Sequence, residues 1–328
     1  MAINLAENYH GSEKMIFIVA DSLKDFPCSN KCIKVIALNH LVWGRGLRPL
    51  YELLINLMLL FGVFRIHINL SHYGLCLFGR HVIYVHNLDT VAKNPELGYS
   101  EGQINWFKIF CFKTCLRKAE SIYVQTKHMS DRVKILLSEQ RQPEERCHTL
   151  TPKIKVPNVG FRGRFFDFQF FYPASMFKHK RTDLAMQSAK EFVKYKPSGG
   201  LVITADTPNT EGLRGLGSTA YLETMQHLKS SSALLFTSTK ESLALPLYEA
   251  MQYGLPAVLP DLEYARDVYG DAGVYYTKDD PNSVCEAMIQ LYESYDSYVS
   301  KVMIRRSEIA VRSVAWAGHW DRFLNNNI

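Results

Sequence analysis

Several apolar runs in this chain are continuous rather than alternating, and that property narrows the fold more than any other. A strand with one wet face alternates apolar and polar residues. A strand covered on both faces does not, and such strands belong to parallel sheets layered between helices. In the first half the runs are Met15 to Val19, Lys34 to Leu38, Arg65 to Leu70, His81 to Val85 and Ser121 to Val124. Helical patterns lie between them, at Gly102 to Ala119 and Ser130 to Gln140. The polar, proline-bearing segment Gln140 to Pro152 reads as loop. The alternation then restarts with Phe168 to Tyr172, a helix over 183–194, a strand over 201–204 and a helix over 220–230, and it ends with a helix over 281–293. The pattern predicts two doubly wound α/β domains in tandem with a cleft between them. The first spans residues 1–162 and the second 163–308, and a closing segment covers 309–328.

A doubly wound domain opens with a strand and a glycine-rich turn that feeds its first helix. Here residues Ala2 to Tyr9 already read as that helix. The expectation is a first domain whose opening strand and glycines are missing from this chain.

Composition excludes several classes. With 328 residues, 47% hydrophobic and 21% charged, the chain is an ordinary globular protein long enough for two cores. The net charge of +6 suits a phosphorylated substrate or an anionic membrane surface, and equally an unremarkable basic protein with no nucleic-acid role. Seven cysteines show neither a disulfide framework nor zinc spacing, so reduced cytosolic thiols are expected. The start lacks a basic region followed by an apolar core, so no signal peptide is read. The most apolar stretch, Leu53 to Phe64, falls short of the roughly 20 residues a membrane span needs and reads as a buried or interfacial helix.

The chemistry gathers near Glu241 and Glu249, which have seven residues between them. The apolar run Ala233 to Phe236 ends in Thr237-Ser238, and a polar loop carries Glu241. Pro246 then opens a helix with Glu249 in its first turn, Gly254 closes it, and Pro256 to Pro260 reads as the next buried strand. This strand–loop–helix–strand unit places its loop where parallel sheets bind ligands. On spacing alone an exposed helix face that happens to carry two glutamates is the better reading.

The second half, with its flanking Leu-Pro, Glu-Ala-Met and Gly-Leu-Pro, resembles the retaining glycosyltransferases of the GT-B fold, glycosyltransferase family 4 in particular. The resemblance implies that Glu241 sits beside a donor sugar and Glu249 accepts hydrogen bonds from a nucleotide ribose. It puts Ser242 and Leu245 at the donor's diphosphate, reached by loop amides and the helix start. Ser242 and Ala244 stand where glycines are usual. A second match is Phe170 to Arg181, where the family carries an Arg and a Lys that hold the leaving diphosphate. Lys180 falls on the Lys position and Ser175 on the Arg position, so one cation is absent, and Lys178 or Arg181 is left to compensate. There is no Asp-x-Asp pair to hold a metal, so the resemblance implies a metal-independent reaction without cofactor. Tyr84-Val85-His86-Asn87 matches a strand end whose histidine faces the sugar, and the C-terminal Trp316 and Trp320 resemble a helix that crosses back to the first domain.

What the resemblance implies in activity is transfer of a sugar from a nucleoside-diphosphate sugar to a saccharide acceptor. The acceptor class it suggests is lipid-linked, as in O-antigen or capsule synthesis, at the cytoplasmic face of the membrane. Trp106 to Lys118, basic and apolar, and Leu50 to Phe64 are the candidate membrane-facing helices, and both equally suit packing in the first domain. Two rival expectations stand: a truncated, non-catalytic nucleotide-sugar-binding remnant, and a sugar-nucleotide epimerase on the same fold.

Overall fold

The computed structural model describes residues 15–20, 33–38, 48–70, 74–86, 106–151, 154, 156–174 and 176–310. These fall into two compact units that divide after residue 153.

The first unit contains β1 (Met15–Ala20), β2 (Ile33–Leu38), α1 (Arg48–Leu60), β3 (Ile66–Asn69), β4 (Arg80–Val85), α2 (Trp106–Lys118), β5 (Ser121–Val124), α3 (Lys127–Glu139) and β6 (Cys147–Thr149). Strands β1 and β2 pair in parallel, and β3-β4-β5-β6 form a second parallel sheet in that order. The five predicted strands are all present. Strand β6 lies inside the segment read as loop. It is only three residues long, and its pairing to β5 through Ile122 and Cys147 is a tertiary event that a local pattern does not record. The helix read for residues 2–9 lies outside the described residues.

The core of this unit is built from Ile83 and Val85 of β4, Ile122 and Val124 of β5, Cys111, Phe112, Cys115 and Leu116 of α2, and Met129, Val133 and Leu137 of α3. Among the described residues, Cys76, Cys111, Cys115, Cys147 and Cys285 are buried thiols and act as small core side chains.

Helix α1 departs from expectation. Its buried face mixes polar and apolar residues, Glu52 and Asn56 beside Ile55 and Leu59. Asn56 is fully buried, and its amide donates to the carbonyls of Glu52 (2.8 Å) and Leu75 (2.7 Å). Its oxygen accepts from the Leu77 N–H (2.8 Å) and the Phe78 N–H (3.2 Å). Buried Glu52 accepts from the Leu75 N–H (3.1 Å). Residues 74–77 have no strand assignment, so side chains of α1 serve their backbone.

The second unit contains β7 (Phe168–Tyr172), α4 (Thr182–Tyr195), β8 (Gly199–Ile203), β9 (Leu213–Gly215), α5 (Tyr221–Ser230), β10 (Ala233–Leu235), α6 (Leu245–Gln252), β11 (Ala257–Pro260), α7 (Glu263–Tyr269), β12 (Val274–Tyr276) and α8 (Pro281–Glu293). Its parallel strands run β12-β11-β10-β7-β8-β9. Every residue of β7, β8, β10 and β11 is buried, as continuous apolar runs demand. Gln169 is tolerated within β7 because its amide donates to Ser231 Oγ (2.9 Å) and its oxygen accepts from the Phe165 N–H (2.9 Å). Strands β9 and β12, three residues each at the sheet's edges, and helix α7 are elements that periodicity does not announce.

The division falls earlier than residue 162 because residues 157–162 are tied to the second unit. Tyr253 Oη donates to the Pro157 carbonyl (2.7 Å), and Lys229 Nζ donates to Asn158 Oδ1 (3.3 Å) and to the Val159 carbonyl (2.5 Å). The Arg162 N–H donates to Ser230 Oγ (2.6 Å).

The Asn56 latch predicts a large penalty for its loss. Asn56→Ala orphans the amides of Leu77 and Phe78 and the carbonyl of Leu75, and should lower unfolding free energy by about 3 kcal/mol. Urea denaturation measures this, and a change below about 1 kcal/mol would mean that these groups find other partners.

Candidate active site

The order of the second sheet creates the site. After β7 the chain builds outward to β8 and β9, then returns to place β10 on the other side of β7. The carboxyl ends of β7 and β10 therefore flank a topological switch point, where the two outgoing loops part and leave a crevice. Lys180 follows β7 and Glu241 follows β10.

The two loops are stitched together. Tyr172 Oη donates to the Lys180 carbonyl (2.6 Å), and Thr237 Oγ1 to the carbonyls of Lys180 (2.9 Å) and Arg181 (3.0 Å). The Thr239 N–H donates to the His179 carbonyl (2.8 Å). From the far side, buried Tyr264 donates to the Ser238 carbonyl. Between these supports the Lys180 ammonium pairs with Glu241 Oε1, both side chains being mostly buried (15% and 13% exposed), and lies 5.5 Å from the Phe236 ring centroid. Such a pair is stiff, because desolvation penalises separation of either charge from the other. Neighbouring Lys240 is half-buried, and burial pulls its ammonium down to about 8 against the opposing field of Glu241.

Both loops contain a non-glycine residue in left-handed backbone. Arg181, preceding α4, has φ 48°, and Ala244, preceding α6, has φ 50°. A Cβ makes that conformation unfavourable by about 1–2 kcal/mol, so the surrounding bonds must hold it. Ala244 thus takes a glycine-like conformation where the resembling family carries glycine. Ser242 and Leu245 flank it, and the α6 N-terminus begins at Leu245 rather than Pro246.

Glu249 is the fifth residue of α6, one residue further along than a helix opened by Pro246 would put it. It is buried, which pushes its carboxyl above the ordinary range, while Tyr221 Oη donates to Oε1 (2.9 Å) and opposes that rise. Tyr221 opens α5 and keeps about half its surface exposed (52%). Sequence reasoning passed over it, because a tyrosine at a helix start carries no spacing signal.

Arg181 is engaged elsewhere: its guanidinium pairs with Asp279 and with Asp183 (3.4 Å). Lys178 lies in the short 3-10 turn Lys178–Lys180, and Ser175 lies outside the described residues. His86 follows β4 in the first unit, where burial lowers its imidazole from the ordinary value. The structure thus brings Lys180 and Glu241 together on adjoining loops, with Arg181 and Ser242 next to them in the chain and Leu245 and Glu249 on α6. Among the described residues no group of three or more His, Cys, Asp or Glu gathers to hold a metal ion, and no helix is long and apolar enough to cross a membrane.

Residues 168–294 match the family described as Glycosyl transferases group 1, so the second unit carries a domain of that kind. Solved structures share the fold across both units. Sucrose-phosphate synthase from Thermosynechococcus elongatus is 11% identical with a TM-score of 0.70, covering 95% of this chain and 88% of its own. HepE from Anabaena, solved with UDP and glucose, is 11% identical with a TM-score of 0.67, covering 96% of this chain and 100% of its own. TarM from S. aureus, solved with UDP and α-GlcNAc-glycerol, is 17% identical with a TM-score of 0.58, covering 75% of this chain and 51% of its own. The chain spans about half the length of TarM and of the pneumococcal O-GlcNAc transferase GtfA. No curated protein matches the chain. The fold is the parallel α/β architecture of these GT-B glycosyltransferases.

The strained loop yields a test. Ala244→Gly removes the Cβ penalty and adds backbone entropy to the unfolded chain, and the net should be a gain of about 0.5–1 kcal/mol. A loss of stability in urea denaturation would show that residue 244 does not hold left-handed backbone in solution.

Proposed function

We propose that this chain transfers a glycosyl residue, with retention and without a metal, from a nucleoside-diphosphate sugar to a saccharide acceptor. The observation that carries the reading is the Lys180–Glu241 pair at the switch point of a group 1 glycosyl transferase domain, with Glu249 behind it. The fold neighbours solved with UDP support a uridine nucleotide as donor carrier.

In the free site the two charges satisfy each other. A bound diphosphate offers Lys180 a more negative partner, and Glu241 is then released to accept hydrogen bonds from donor-sugar hydroxyls. Breaking the sugar–phosphate bond builds charge on the leaving oxygen as an oxocarbenium-like sugar forms. Lys180 and the amides near Ser242 and Leu245 offset that charge. Arg181 contributes if the diphosphate draws it from Asp279. Ser175 supplies no cation. Glu249 accepts from the ribose, and His86 serves the sugar or acceptor. Front-face attack, with the phosphate oxygen taking the acceptor's proton, suits a site in which Glu241 is already paired to a cation. The acceptor is read as lipid-linked, in surface-polysaccharide synthesis, with the enzyme working at the inner membrane face.

The experiment is a panel of nucleotide sugars incubated with membrane extract, scored by nucleoside diphosphate release and by the anomeric configuration of the product. Acceptor-dependent release from one donor with retention is expected, and no release from any donor would sink the reading. Glu249→Ala should raise the donor KM by about tenfold or more with kcat little changed, whereas Glu241→Ala should mainly lower kcat, by about a hundredfold. Unchanged kinetics in both would remove the assigned roles.

The acid limb of donor binding follows from Glu249. Burial raises its carboxyl, so lowering the pH protonates it earlier than an ordinary carboxylate and removes a ribose acceptor. Tyr221 and Tyr253 are the titratable groups facing it, both neutral in this range. Tyr221→Phe deletes the bond that opposes the rise, so UDP affinity should weaken by about tenfold and its acid limb should move to higher pH. Calorimetric titration against pH reads both, and an unmoved limb would deny Tyr221 its role in positioning Glu249.

A further inference from the structure

Lys180 and Arg181 are neighbours in the chain, yet their charges are met from different places. Lys180 pairs with Glu241, mostly out of solvent. Arg181 pairs instead with Asp279, 98 residues further along, and keeps a looser contact with Asp183 (3.4 Å). The Arg181 side chain is 25% exposed, against 53% for Asp279.

Strand order sets this pair apart. Arg181 follows β7 and Asp279 follows β12, and in the sheet these two strands have β10 and β11 between them. Three strand spacings are roughly 14 Å. The pair therefore bridges loops that the sheet keeps apart, and the strand that delivers Glu241 lies between them. Most surface pairs join neighbours on one helix, as Lys194 and Glu191 of α4 do. Arg181 is also fixed at its backbone, in left-handed conformation with its carbonyl held by Thr237 Oγ1 (3.0 Å). Its guanidinium thus reaches Asp279 from a rigid base, and it is the side chain, not the loop, that is able to exchange partners.

Three buried tyrosines stand behind the same loops. Tyr172 donates to the Lys180 carbonyl (2.6 Å) and Tyr264 to the Ser238 carbonyl. Tyr276, the last residue of β12, is 6% exposed, and its hydroxyl meets no acceptor among the described residues. Burial pushes its phenol up and the nearby Arg181 guanidinium opposes the rise, so the group remains an O–H donor. A buried donor without an acceptor is costly. A charged donor and a neutral one therefore adjoin at the end of β12, and such a combination suits an anionic oxygen.

We infer that Asp279 is an internal counter-ion of the donor site: it holds Arg181 in the free protein and yields it to the donor's phosphate, where the Tyr276 hydroxyl joins it. This rests on the glycosyl-transfer reading and adds regulation to it, because donor binding becomes an exchange of one anion for another. A diphosphate carries more charge than one carboxylate and accepts from a guanidinium through several oxygens. Asp279, half-exposed, is then left to water, and it retakes Arg181 as the nucleoside diphosphate departs.

The test is calorimetric titration of UDP, GDP and ADP into wild type, Asp279→Asn, Arg181→Gln, the double variant and Tyr276→Phe, with urea midpoints to show that each is folded. Asp279→Asn should tighten the nucleoside diphosphate that wild type binds by about threefold. Arg181→Gln should weaken it by about tenfold, and in that background the gain from Asp279→Asn should vanish. Tyr276→Phe should move two readouts in opposite senses. Its urea midpoint should rise, because an unpaired hydroxyl is gone, while affinity should fall by about threefold. Unchanged affinity in Asp279→Asn or in Tyr276→Phe overturns the inference. So does a gain of equal size in the Arg181→Gln background, since plain repulsion between Asp279 and phosphate would then account for it. Wild type that binds none of the three nucleotides removes the glycosyl-transfer reading as well, whereas binding without this pattern removes the counter-ion alone.

Discussion

Strand β7 begins the second sheet at its centre, and everything at the site depends on what the chain does next. It goes one way to β8 and β9 and later returns to lay β10 against β7. Two loops distant in sequence are thereby forced to leave the sheet side by side. Their carbonyls would be stranded at that crowded edge, and Tyr172, Thr237 and Tyr264 supply the donors that satisfy them. Once the loops are fixed, a lysine on one and a glutamate on the other meet in a mostly buried space. Their pairing neutralises a site whose proposed ligand carries both phosphate charge and sugar hydroxyls.

Backbone strain at Arg181 and Ala244 fits the same construction. Each left-handed residue turns the chain sharply from a loop into the helix that follows, α4 or α6. Glycine would make the turn at little cost in the folded state. An alanine there indicates that the stitched loops over-determine the conformation, with strain concentrated beside the candidate chemistry.

The first unit solves a different problem. Segment 74–78 carries no strand pairing among the described residues, and polar side chains of α1 and α2 serve its backbone. The consequence is an α1 whose buried face carries Glu52 and Asn56 among its aliphatic residues. Its apolar residues were legible in the sequence as one stretch, but which of them are buried was not, because Glu52 and Asn56 share the inward face with Ile55 and Leu59 while Leu50, Leu53, Leu54, Leu57 and Leu60 are exposed. The short strands β6, β9 and β12 escaped for a related reason: three residues carry too little pattern, and their existence depends on a neighbour's edge being open.

The sequence by itself determined the parallel α/β class, since only strands covered on both faces tolerate uninterrupted apolar runs such as Phe170-Phe171-Tyr172 and Val258-Leu259. It also singled out Glu241 and Glu249, through a strand–loop–helix unit whose turn residues are local, and Lys180 through the resemblance of residues 170–181 to glycosyltransferases. Tertiary structure alone decided which loops adjoin, that Lys180 closes on Glu241, that Tyr221 holds Glu249, and which way α1 faces. Those outcomes follow from strand order and from satisfying buried backbone groups, both set by contacts between distant residues, to which spacing along the chain is blind.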